Sequence, residues 1–206
     1  MPADSERQAV ERVALFPLNV VLFPGGLLPL RIFEPRYLRM VSECMRDQLP
    51  FAVAAILDGP EAGGVAATAG SGTLARIIDW EQRDDGLLGL VCEGEQGFSL
   101  RSVVVEHDQL LRAEILRRPA VAPRPMPAEL AWMGELLNDL LERVGEPFRR
   151  LLRDRPSADH VANRLIELLP LPLDQKQALF EMPDSIARLR RLAGLINPQG
   201  VGGASA

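Results

Sequence analysis

The residues able to do chemistry in this chain are few and scattered. His107 and His160 are its only histidines, each beside an aspartate. A metal or a catalytic triad needs convergent partners at ligand spacing, and neither histidine has local ones. The reading for both is a solvated or helix-capping role. Gly70-Ser71-Gly72-Thr73 is a short glycine-rich run considered for a phosphate. A nucleotide loop ends in a lysine that neutralises phosphate charge, and here there is none. Lys176, the single lysine, sits at a predicted helix start. Asp84-Asp85 and Glu93/Glu95 fall at turns, where acidic residues serve the backbone. No catalytic residue, metal or cofactor is expected.

One polar group is more concentrated. Arg31, Glu34, Arg36 and Tyr37 lie where a strand pattern gives way to a helix pattern. They read either as a structural joint, with Glu34 at the positive helix end and paired to an arginine, or as the polar rim of an apolar groove. The element that positions them runs apolar from Val13 to Leu30, with Asn19 its only polar side chain. That length would suit a membrane helix. However, each of Pro17, Pro24 and Pro29 would cost roughly 3 kcal/mol inside one, and Gly25 and Gly26 about 1 kcal/mol each. Short buried strands at Val13–Phe16, Val20–Phe23 and Leu27–Ile32 are expected instead, turning at Pro24-Gly25-Gly26. Pro35 then opens a helix to Asp47, with Leu38, Val41, Cys44 and Met45 on one apolar face and Phe33 and Leu38 at staple spacing.

Further strands are expected at Phe51–Leu57, Thr73–Trp80, Leu87–Glu93, Phe98–Val105 and Leu110–Leu116. A Gly/Ala-rich loop should run from Asp58 to Gly72. Asp84-Asp85-Gly86 is a hairpin signal, and Gly94–Gly97 is read as a second turn. In Thr73–Trp80, Leu74, Ile77 or Ile78, and Trp80 are the inward candidates. Prolines 119, 123, 125 and 127 form a stiff connection, after which everything reads as helix. The helices are expected at Pro127–Val144, Pro147–Arg153, Asp159–Leu169, from Asp174 with Gln177 as a capping box, and from Asp184 to Ile196. The start to Arg12 and the end after Asn197 read as frayed and disordered.

The block FPLNVVLFPGGLLPLRIFEPRY (Phe16–Tyr37), the helix after it, PFAVAAIL (Pro50–Leu57), GTLARI (Gly72–Ile77) and LDQKQALFEMPD (Leu173–Asp184) resemble the N-terminal, substrate-binding domain of Lon-type ATP-dependent proteases. They are most similar to the free-standing bacterial proteins that contain that domain alone. The resemblance implies an α+β fold: a PUA-like antiparallel β-barrel with one helix, then a C-terminal helical bundle. With the proline-rich connection at 119–127 as the boundary, the barrel is expected at residues 1–118, the helical subdomain at 128–197 and a tail at 198–206. Lon's ATPase and protease modules use a phosphate loop and a serine–lysine pair, and neither motif is in these residues. The implied function is therefore a non-catalytic polypeptide-binding module, for flexible or unfolded segments or for a protease or chaperone partner. The alternative is an RNA-binding PUA-like module.

Bulk composition weighs against that alternative. Net charge is −5 and aromatics make up 5% of the chain, a poor match to nucleic acid. The first residues lack a basic region followed by an apolar core, so a cytoplasmic protein with two reduced buried cysteines is expected. Leu27, Leu28, Phe33 and Trp80 are large apolar residues near strand ends and turns. They either complete the core or form an exposed peptide-binding patch, expected where barrel and helical unit meet.

Overall fold

The computed structural model describes residues 9–59 and 67–196. The expected frayed start and disordered tail lie largely outside them. Six strands and five α-helices follow in the order β1 (Glu11–Leu18), β2 (Leu27–Ile32), α1 (Pro35–Asp47), β3 (Phe51–Asp58), β4 (Ala67–Gln82), β5 (Leu88–Val105), β6 (Leu111–Arg117), α2 (Ala131–Val144), α3 (Ala158–Leu168), α4 (Leu173–Glu181) and α5 (Ser185–Ile196). Among the described residues no helix is long and apolar enough to cross a membrane. Contacts divide the chain into two units, Met1–Pro24 with Leu28–Ala120, and Gly25–Leu27 with Val121–Ala206.

In the first unit the strand order is β2-β5-β4-β3-β1-β6, with β5 also paired to β6. The sheet is mixed, which corrects the antiparallel expectation: β1 and β3 run parallel, Leu15 opposite Ala52 and Leu18 opposite Ala55. Parallel neighbours need a crossover, and the chain through β2 and α1 supplies it. Alternate residues separate into two cores. Ala14, Phe16, Phe51, Val53 and Ala75 pack with Tyr37, Met40, Val41 and Cys44 of α1. Leu15, Ala52, Ala54, Leu74 and Phe98 pack in the other cluster. Burial on both faces is why these strands read as unbroken apolar runs.

Three sequence expectations change here. The predicted strand Val20–Phe23 is a buried connecting segment, its backbone met by other strands: Thr73 Oγ1 donates to the Leu22 carbonyl at 2.6 Å. The Gly94–Gly97 turn does not exist: β5 continues through these residues, with an irregular register against β4 between Gly94 and Gly97. A Cβ on Gly94 would stand 2.4 Å from the Phe23 carbonyl oxygen, so this glycine admits a crossing backbone. Likewise residues 67–72 belong to β4 rather than to a loop. Ser71 and Thr73 of the presumed phosphate-loop candidate are buried inside that strand.

The second unit carries a short 3-10 turn (Ala128–Leu130) leading into α2, another at Phe148–Leu151, and α3 to α5. Helix α2 buries Met133, Leu137 and Leu141, as its period predicts, while Val144 is exposed. Ser157 caps α3 by accepting the His160 backbone N–H, and Asp184 caps α5 through the N–H groups of Ile186 and Ala187. Helix α4 starts at Leu173, one residue before the expected cap, so Asp174 lies in its first turn and Gln177 donates to Glu181 at 2.9 Å.

Candidate functional site

Helix α1 is rotated relative to its predicted apolar face. It buries Tyr37, Met40, Val41 and Cys44, leaving Leu38 and Met45 exposed. Leu38 and Met45 are seven residues apart, two helical turns along one stripe. Phe33, at staple spacing to Leu38, is also exposed, so that pair closes over nothing. At the other end the helix stops at Gln48, in the left-handed conformation, and the Leu49 N–H donates to the Cys44 carbonyl at 3.1 Å. Leu49 is thereby turned outward.

Across from this end, β4 carries a bulge. Its pairing with β5 slips between Ile77 and Asp79: Ile77 faces Cys92 but Asp79 faces Val91, so Ile78 is an extra residue. A bulge breaks the alternation of faces and re-aims side chains. Consequently Ile77, Ile78, Asp79 and Trp80, four consecutive residues, all line one cleft together with Met45 and Leu49. Its volume is about 420 Å³. Met45 (41%), Leu49 (59%), Ile78 (44%) and Trp80 (58%) are all substantially exposed. Cys44 forms its buried edge. Burial pushes the Cys44 thiol up to about 11 and that of Cys92 to about 12, so neither is a thiolate nucleophile at neutral pH.

The residues singled out in sequence fall in different places. Trp80 lines this cleft, which corrects its inward assignment. Phe33 is exposed but outside the lining. Leu27 and Leu28 are both buried, at 8% exposure, so neither offers a surface for a peptide. The cleft itself is made wholly of first-unit residues, whereas the sequence pointed to the junction of the two units. Met45, Leu49 and Ile78 were not singled out. The signals for them are the left-handed helix stop and the bulge, neither of which has a reliable sequence signature.

The polar set also separates. Arg31 pairs with Asp85 of the β4–β5 turn. Arg36 is buried, donates to Glu34 at 3.0 Å and to the Gln109 carbonyl at 3.0 Å, and lies 4.6 Å from the Tyr37 ring centre. Tyr37 stacks on Phe16 at 3.9 Å between ring centres. These are contacts of a joint between α1 and the strands. Next to it Arg39 holds Glu43 (3.1 Å), Asp108 (2.7 Å) and Glu106, and Arg112 holds Glu106 (3.0 Å) and Glu43. The Arg39 hydrogen bond keeps Glu106 below its usual carboxylate range. A carboxyl depressed in the folded state stabilises above its unfolded pKa and loses that contribution as pH falls through the folded value. Arg39→Ala should therefore lower stability at neutral pH by no more than about 1 kcal/mol, because the pair is partly solvated and screened, and should flatten the acid limb below pH ~4.5, measured by urea titration across pH.

Among the described residues no group of three His, Cys, Asp or Glu side chains could hold a metal. His107 is exposed in the turn before β6. His160 Nε2 donates to the Leu151 carbonyl at 2.9 Å, and burial, aided by the Arg164 charge, pulls its pKa down to about 4. The unfolded chain thus takes up this proton first as pH falls. Stability should be full above pH ~6.5 and decline to about pH 4, by on the order of 3 kcal/mol. His160→Leu should remove that part of the slope in thermal melts over this range.

Residues 12–198 match the profile of the ATP-dependent protease La (LON) substrate-binding domain. The chain belongs to the Lon substrate-binding domain family. Among curated relatives, Lon protease 2 of Myxococcus xanthus is 24% identical over 190 residues, covering 89% of this chain and 23% of that protein. The Lon-family match therefore spans about a quarter of the relative's length. Among solved structures, a Lon N-terminal domain protein from Xanthomonas campestris superposes with a TM-score of 0.71 at 33% identity, covering 89% of this chain and 98% of that one. The N-terminal domain of Mycobacterium avium complex Lon protease shares the fold, with a TM-score of 0.64 at 18% identity over 92% of this chain and all of that one. These Lon-family likenesses give the α+β fold, a mixed sheet with five helices.

Proposed function

We propose that this Lon-type domain is a non-catalytic module that binds flexible polypeptide in the cleft between the end of α1 and the β4 bulge. The observation that carries the reading is the set of four exposed large apolar residues, Met45, Leu49, Ile78 and Trp80, gathered on one concave site. Water-exposed apolar side chains grouped in a cleft gain by being covered. Family membership supports polypeptide as what covers them. The same residues offer no nucleophile activated by a base and no metal ligands, so recognition without chemistry fits them best. Only a few side chains would be buried, which leaves a modest surplus after ordering costs and a Kd on the order of micromolar or weaker.

The finer reading of the fold goes with this. The pairings β5–β4–β3–β1–β6–β5 return on themselves, which supports a closed β-barrel beside α1. The helices after Val121 support a compact helical bundle, and the composition a cytoplasmic setting. Net charge and scarce aromatics keep RNA the weaker ligand. The test uses Trp80 as reporter in a Trp132→Phe background, titrated with reduced, carboxamidomethylated ribonuclease A, an unfolded polypeptide without tryptophan. A saturable blue shift of the emission is expected. No change with that polypeptide, together with saturable binding of a single-stranded RNA, would replace this reading with the nucleic-acid one.

A further inference from the structure

Resting on that reading of the cleft, we propose that it selects segments in which an apolar residue is flanked by basic side chains. The walls are apolar, and of the two charged residues in its lining, Arg76 is ion-paired and Asp79 is not. Asp79 lines the cleft, is exposed, and among the described residues has no cation within ion-pair distance. Its Oδ1 accepts the Trp80 backbone N–H at 2.9 Å, which ties the carboxylate to the backbone at Trp80. Arg76, the only cation in the lining, is already tied to Glu95 at 2.9 Å. Glu81, next along the strand, meets Arg83 only at 3.9 Å.

Two further features favour positive charge. Helix α1 points its C-terminal end at the cleft, because Met45, Gln48 and Leu49 of its last turn and cap line it. The carbonyls of a last helical turn lack intrahelical partners and form the negative pole. The exposed indole of Trp80 presents a ring face that attracts ammonium and guanidinium groups. A carboxylate-flanked segment would meet all three features with the wrong sign, while a lysine- or arginine-flanked one would complement them. The chain's net charge of −5 adds attraction at longer range.

The experiment compares two short fluorescein-labelled peptides with the same Leu-Phe-Leu centre, one flanked by lysines and one by glutamates, in anisotropy titrations with the full chain. The lysine-flanked peptide should bind about tenfold more tightly at low salt, and the gap should shrink as salt rises. Asp79→Asn should cut the gap to about threefold, while Asp139→Asn, an exposed change on α2, should leave it unchanged. Equal binding of both peptides, or tighter binding of the glutamate one, would overturn charge selection and leave polypeptide binding in the cleft standing. Binding of neither peptide would overturn both. A lysine preference that Asp79→Asn does not reduce would remove this rim as its source.

Discussion

Gly72→Ala should lower the stability of the first unit by about 3 kcal/mol or more, seen as a melting temperature reduced by roughly 10 °C. Gly72 pairs with Ala54 on one side and Phe98 on the other. A Cβ placed on it would stand 2.0 Å from the Val53 carbonyl oxygen and 2.9 Å from Phe98 Cζ. The first of these atoms is backbone in a central strand and cannot move alone. The second belongs to a fully buried ring whose space the glycine supplies. Gly70, two residues earlier in the same strand, has nothing within 4 Å of the same added atom. Gly70→Ala should be neutral or slightly stabilising, because it limits the unfolded chain. Calorimetry of the two variants side by side separates a steric effect from a general cost of alanine in β4. Equal melting temperatures would contradict the close approach of β3 and β4.

The second large effect is on binding. Trp80→Ala should weaken binding of an unfolded polypeptide about tenfold, with little change in stability, since the side chain is 58% exposed. Ile78→Ser should act in the same direction. Phe33→Ala, which removes an equally exposed aromatic outside the cleft, should change affinity by less than about twofold. Isothermal titration of the three variants against one polypeptide checks this, with thermal melts confirming that each is folded. The contrast between Trp80 and Phe33 matters most, because a general stickiness of exposed aromatics would weaken both alike.

Much of the fold was legible because local and global signals agreed. Pro35 opening α1, the Asp84-Asp85-Gly86 turn and the leucine period of α2 each specify a local geometry that tertiary packing keeps. The misread places share a cause. Gly72 and Gly94 read in sequence as turn or loop residues, but both lie inside strands, where a second backbone passes close by. From sequence, a glycine needed for room is identical to one needed for a turn. The cleft was less legible still. Trp80 drew attention by its size, yet its alternation with Leu74 pointed inward, and only the extra residue at Ile78 sends it out. Met45 reads as part of the buried stripe of α1, because the sequence does not say which of two adjacent apolar rows, Tyr37–Cys44 or Leu38–Met45, faces the sheet. Leu27 and Leu28 show the converse: residues near a turn can still be core.

Hydrogen exchange with mass spectrometry on the full chain, with and without saturating carboxamidomethylated ribonuclease A, tests the placement of the binding site most directly. Bound polypeptide should slow exchange in the segments spanning residues 44–49 and 76–82. The exposed 101–105 stretch of β5 and helix α2 should be unaffected. Protection confined to the helices after Val121, or protection nowhere while binding is detected by titration, would contradict the placement of the site in this cleft.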